Sequence, residues 1–171
     1  MSCLIDGGMS RGCRDNAGGL VTLYISNMPT GITSIADWAT VDATTEIVTS
    51  FSSVTWFEYV PNKISSDFTE TYQVSLENGT VGYEQTVTAI FGKLSAEKRL
   101  QIKALTAGNF VMIVKDKNGN FWLVGAEDSV NVSGGSGGTG KALSDLNGYS
   151  LEFKAMEGIP AHSVDESAII L

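Results

Sequence analysis

Residues 64–91, "ISSDFTETYQVSLENGTVGYEQTVTAIF", constrain the chain most. Ile64, Phe68, Tyr72, Val74 and Leu76 fall on one face of an extended segment. Ser65, Asp67, Thr69, Thr71, Gln73, Ser75 and Glu77 fall on the other. A period of two is the signature of a strand with unlike faces. Asn78-Gly79 follows, the dipeptide that favours a tight hairpin turn. Alternation then resumes. Val81, Tyr83, Val87, Ala89 and Phe91 share a face, opposed by Thr80, Gly82, Glu84, Thr86 and Thr88. The spacing predicts two long antiparallel strands, 64–77 and 80–91.

The rest of the chain continues in this manner. "LVTLYIS" at 20–26 and the β-branched, aromatic run 45–59 read as strands. "NFVMIVKD" and "FWLVGAE" form a second hairpin around Asn118-Gly119, and "YSLEFKAME" at 149–157 is a last strand. One helix is predicted near 95–107, capped by Ser95 with Glu97 in its first turn and ended by Gly108. No helices separate successive strands, so the fold expected is mainly β with one α-helix, an antiparallel β-sandwich or barrel. With 171 residues the chain suits a single domain, 20–161. A glycine-rich N-terminal arm (1–19) and a C-terminal tail (162–171) flank it. Residues 27–44 and the glycine-rich 132–141 read as loops.

Within that second loop, Gly135 to Lys141 spell G-S-G-G-T-G-K, close to a phosphate-binding loop. Such a loop needs a Ser or Thr after the lysine to hold magnesium, and Ala142 stands there. It also needs a helix leaving the loop, whereas Asn147-Gly148 and a strand follow. The reading is therefore a connector, with no nucleotide and no cofactor. The single histidine, His162, argues against a catalytic triad and reads as an exposed tail residue. Cys3 and Cys13 are too few for a disulfide framework; two free thiols are expected, and a bridge between them stays geometrically open. Glu152 and Glu157 read as a solvated strand face. Trp38, Trp56 and Trp122 read as core, with a sugar or base platform as the competing reading. No metal site and no catalytic residues are expected.

Charge is segregated along the chain. Residues 15–92 hold nine acids and one base, Lys63, whereas 93–117 hold six bases and two acids. A formal net charge of −8 disfavours gripping nucleic acid or an anionic membrane. No apolar run reaches the length of a membrane span, and no signal peptide is read at the N-terminus. The polar faces of 64–77 and 80–91 contain Ser, Thr, Gln and acids but no Lys or Arg. Exposed strands ordinarily use lysine to discourage edge pairing. A cation-free acidic wall suits a conduit for a polyanion, which it repels rather than traps. An ordinary solvent face is the competing reading.

Four features together resemble the tail tube (major tail) proteins of long-tailed bacteriophages. They are the glycine-rich arm, the two alternating strands, the single helix after the β-rich half, and the closing "TGKALSDLNGYSLEFKAMEGIPA". The resemblance implies a non-enzymatic virion protein with a sandwich or barrel of the tail-tube type. Its copies would form six-fold rings stacked into a tube whose inner β-wall conducts DNA. It implies lumen-facing Asp67, Gln73, Glu77 and Glu84. It implies contacts between subunits and rings through Arg11 and Arg14 of the arm, Gly135, Gly138 and Lys141 of the loop, and Ile169 and Ile170 of the tail. The implied partners are other copies, tape-measure, tail-terminator and baseplate or tail-tip proteins, and DNA in transit. The implied location is the virion tail, with assembly in the host cytoplasm. A tube protein of a contractile injection or secretion system, a capsid decoration or fibre-base domain, and a small enzyme or carbohydrate-binding β-sandwich are the alternatives.

Overall fold

The computed structural model describes residues 8–9, 14–52 and 54–169. Its strands in chain order are β1 (Leu20–Asn27), β2 (Ala39–Val41), β3 (Val48–Phe51), β4 (Phe57–Tyr59), β5 (Asp67–Ser75) and β6 (Thr80–Gly92). Helix α1 (Ala96–Leu105) follows, then β7 (Phe110–Asp116), β8 (Phe121–Val124), β9 (Asn131–Gly138), β10 (Gly148–Glu157) and β11 (His162–Ser163). They form a five-stranded sheet, β11-β8-β7-β1-β4, and a four-stranded sheet, β5-β6-β10-β9. A small β2-β3 ribbon stands apart. Every pairing between these strands is antiparallel.

The two larger sheets pack face to face as a sandwich. Leu23, Met112, Val114 and Val124 of the five-stranded sheet share a buried cluster with Val87, Ala89, Leu151 and Phe153 of the four-stranded one. The five-stranded sheet is covered on its other face too. Val111, Ile113, Phe121 and Leu123 lie under Trp38, Val48, Trp56, Val164 and Ala168. That is why β7 reads as an unbroken apolar run, FVMIV, buried at every position. Trp38 and Trp56 are core residues, each 3% exposed, and the Trp38 indole donates to the Ala126 carbonyl at 3.2 Å.

Both hairpins turn at Asn-Gly, but β5 runs only from Asp67 to Ser75, so the first turn spans four residues, 76–79, rather than two. Gly79 and Gly119 adopt φ of 63° and 86°, a region costly for a residue with a Cβ. Ser95 caps α1, its hydroxyl accepting from the Lys98 amide at 3.2 Å. The helix ends at Leu105, slightly before the expected 107.

Of the sandwich and the barrel expected, the sandwich forms: the sheets do not close, and in this chain β5 and β9 are the outer strands of the four-stranded sheet. Four expectations about its elements need correction. Residues 45–59 are not one strand but β3 and β4, in different sheets, with buried Trp56 between them. Residues 27–44 are not simply a surface loop, since Met28, Ile32, Ile35 and Trp38 pack onto the second cluster. The 162–171 tail is docked where it is described. His162 pairs opposite Leu123 in β11 and its ring contacts the Glu46 carbonyl at 3.1 Å, so it is half-buried rather than exposed. Val164 and Ala168 are core.

The fourth correction is the glycine-rich loop, most of which is β9, an eight-residue strand paired along β10. Its glycines make room for neighbours. A Cβ on Gly135 would come within 2.8 Å of Leu151 Cδ2, and one on Gly137 within 2.8 Å of Tyr149 Cδ1. The β10 side chains lean over a strand that has none at those positions.

Candidate assembly surface

Register decides which residues share the outward face of the four-stranded sheet. Thr71 stands opposite Glu84, which stands opposite Met156; Asp67 faces Thr88 and then Glu152. The outward face thus carries Asp67, Thr69, Thr71, Gln73 and Ser75 of β5 with Thr80, Gly82, Glu84, Thr86 and Thr88 of β6. β10 adds Ser150, Glu152, Lys154 and Met156. Three of the four residues expected to face a lumen (Asp67, Gln73, Glu84) do share this face. The fourth, Glu77, does not: it lies in the turn at 76–79, beyond the last paired residue, Ser75.

The wall is not free of cations. Lys154 reaches Glu84 at 3.0 Å and Glu152 at 3.8 Å. Glu84 also accepts from the Gln73 amide at 2.8 Å, and Ser133 donates to Glu152 at 2.8 Å. The hydrogen bond and charge of Glu84, aided by Glu152, hold the Lys154 ammonium above its usual range. The lysine is neutralised in a chain of polar contacts across the sheet. Lys154 lies 70 positions from Glu84, so only the pairing of β6 with β10 brings them together.

The inward face hides polar groups that local reading placed elsewhere. Gln85 is 1% exposed; its carbonyl accepts from the Gly125 amide at 3.1 Å and its amide donates to Glu70 at 3.3 Å. Glu70 also accepts from the Ala161 amide at 2.7 Å. Glu157, expected on a solvated face, is 2% exposed and accepts from the Glu127 and Asp128 amides, each at 3.2 Å. Burial pushes its carboxyl up to about 7, against the downward pull of those amides, and the neighbouring Asp128 and Glu127 charges add to the rise. The alternation itself was the available signal: Glu157 sits two positions from Ala155 and four from Phe153.

A pH dependence follows. The folded carboxyl binds its proton more tightly than the unfolded one, so the native state carries an extra proton between about pH 7 and pH 4.5. Stability therefore rises as pH falls through 7. The gain is on the order of 2 kcal/mol by pH 5, or several degrees in Tm. Asp37, Asp42 and Asp165 are held below the usual range by backbone amides of their own turns. They act in the opposite sense, losing stabilisation only at lower pH. Thermal melts from pH 8 to pH 5 check this. Glu157→Gln should abolish the rise, and an unchanged slope would remove Glu157 as its source.

Two edges of the four-stranded sheet are open. Among the described residues, no strand pairs with the outer side of β5 or of β9. Neither DFTETYQVS nor NVSGGSGG contains Lys, Arg or Pro, the usual guards of an edge. Gly135 lies within β9 and Gly138 closes it. Lys141 lies in the turn that follows. The amides of Lys141 and Ala142 both donate to Asp145 at 2.8 Å, so these two amides are turned to a carboxylate of their own loop. The same bonds, that of Ala142 foremost, hold the Asp145 carboxyl below its usual range.

Of the other expected contact residues, Arg14 is exposed and Ile169 packs partly against the second cluster. Arg11 and Ile170, like Cys3 and Cys13, lie outside the described residues. Among the described residues no group of three His, Cys, Asp or Glu side chains is placed to hold a metal ion. No described helix is long and apolar enough to cross a membrane. Comparison of the chain with protein-family models, curated proteins and solved structures gives no match in any of the three.

Proposed function

We propose that this chain is a self-assembling structural subunit whose copies join edge to edge into a ring and stack into a tube. The observation that carries this is the four-stranded sheet with two unguarded edges. Strand parity makes the join feasible. In β5-β6-β10-β9 each strand opposes its neighbour, so β5 and β9 run in opposite directions. When copies follow one another head to tail, β5 of one meets β9 of the next antiparallel. An even number of strands per copy lets this recur around a closed ring. The glycine row of β9 leaves its backbone accessible to a partner strand.

Six copies, the number implied by the resemblance to tail tube proteins, would give a wall of about 24 strands. At about 4.8 Å between strands the backbone circle is about 37 Å across, leaving room for a nucleic-acid duplex once side chains line it. The face turned toward the lumen would be the hydroxyl- and acid-rich one, with Lys154 already neutralised by Glu84. DNA would then pass without being held, as repulsion between like charges requires. On this reading the protein is a phage tail tube subunit without catalysis, joined at its ends by tape-measure, terminator and tail-tip proteins.

Hydrogen exchange over a concentration series tests the edge join. Amides of 67–75 and 131–138 should gain protection as the protein assembles, while β7 amides stay protected throughout. Assembly with both edges still exchanging freely would overturn the reading.

A further inference from the structure

The β5–β6 hairpin outruns the sandwich. β10 ends at Glu157, opposite Tyr83, so residues 73–82 form a two-stranded ribbon with no third strand. A ribbon of that kind is marginal in water by itself. Yet its inward side is apolar and uncovered: Val74 is 60% exposed and Val81 53%, with Tyr72 at its base 64% and Leu76 in the turn at its tip 93%. Contiguous apolar surface of this sort marks an interaction site.

At the opposite end of the same sheet the arrangement is reversed. The chain leaves β6 at Gly92, and α1 packs Ile102 and Leu105 onto the core cluster. Its outer side presents Leu100, 67% exposed, among Arg99, Lys103 and Ala104. Gly82, where the ribbon begins, lies ten residues of β6 from Gly92, so about 30 Å of strand separates the ribbon from the helix end, and the two do not meet within one copy.

The ends also differ in charge. The ribbon end carries Glu77 in its turn, and Glu70, Glu127 and Asp128 near the point where β10 stops. The helix end carries Lys93, Lys98, Arg99, Lys103 and Lys141 against Glu97 and Asp145. Opposite charge at opposite ends favours head-to-tail contact and disfavours head-to-head.

We propose that the apolar side of the β5–β6 ribbon is an axial docking surface, occupied by α1 of a second copy of this chain. Leu76 and Val81 bed against Leu100 and Ala104, and Glu77 approaches Arg99 or Lys103. The contact is heterologous, so it repeats without closing and gives the stack a direction. It rests on the assembly reading above and names the surfaces through which successive rings meet.

Engineered cysteines test it in the full chain, with Cys3 and Cys13 changed to serine. Leu76→Cys and Leu100→Cys in the same chain should give, on mild oxidation, a ladder of covalent multimers containing at least half of the protein. A mixture of the two single variants should stop at dimers. Tubes that form without a ladder overturn this contact while leaving the tube reading intact. A ladder from filaments lacking a central hole supports the contact and overturns the tube. Monomers without a ladder overturn both.

Discussion

Phe153→Ala is expected to destabilise the folded chain by about 3–5 kcal/mol, lowering Tm by about 10 °C or more. Phe153 is fully buried on β10, between Val87 of β6 and Val132 of β9. It belongs to the cluster that joins the two large sheets. Truncation loses the transfer free energy of a benzyl group and leaves a cavity that pleated backbones close poorly. Since domains are stable by only about 5–15 kcal/mol, this one change removes a large share. Phe153→Leu, which keeps most of the volume, should cost well under half as much. Equal losses for Ala and Leu would mean that the ring's shape, rather than its volume, sets the stability. Gly125→Val should match Phe153→Ala. Gly125 has φ of 75°, and a Cβ there would lie 2.4 Å from Val130 Cγ2 and 2.8 Å from the Val130 amide.

Blocking one sheet edge is expected to abolish assembly while leaving the monomer folded. Along β5 the amides alternate between the ladder with β6 and the open side. Proline has no N–H and is tolerated in sheets essentially only where that N–H faces outward. Thr71→Pro and Tyr72→Pro therefore form a matched pair at adjacent positions. One removes a ladder bond and should cost about 3 kcal/mol or more. The other removes only an outward amide, and its Tm should stay within about 2 °C of the parent. The thermally neutral variant should sediment as a monomer at concentrations where the parent assembles. Parent-like assembly by that variant would show that β5 is not a joining edge.

Much of this fold is legible locally. The period-two patterns of 67–75 and 80–92, both Asn-Gly turns, the Ser95 cap and the placement of Asp67, Gln73 and Glu84 on one face follow from chemistry within a few residues. Most of the failures share one cause, which is partnership over long sequence distance. The glycines of β9 read as a loop because the side chains that require them, Tyr149 and Leu151, come from β10. Lys154 is missing from an acidic wall built of residues 64–91 alone, because only the pairing of β10 with β6 brings it there. Residues 162–169 read as a tail because their cover, the outer face of the five-stranded sheet, exists only after folding. Glu157 is the exception: its residue type suggests a solvated face, whereas its alternation with Phe153 and Ala155 puts it on the buried one.

The same division applies to the candidate surface. Residue type and period disclose the polar face. The two free edges emerge only from strand order, and they carry the functional reading. Part of the charge segregation along the sequence becomes segregation in space: Lys93, Lys98, Arg99 and Lys103 gather with α1 at the end where β6 finishes, while Glu70 and Glu77 lie toward the other end of the sheet.

Electron microscopy of the concentrated, purified chain tests the central claim most directly. The account predicts rings and stacked tubes with a stain-filled hole, and a wall repeating at about 40 Å, the length of β6. Uniform particles the size of one 171-residue chain, at every concentration reached, would contradict it.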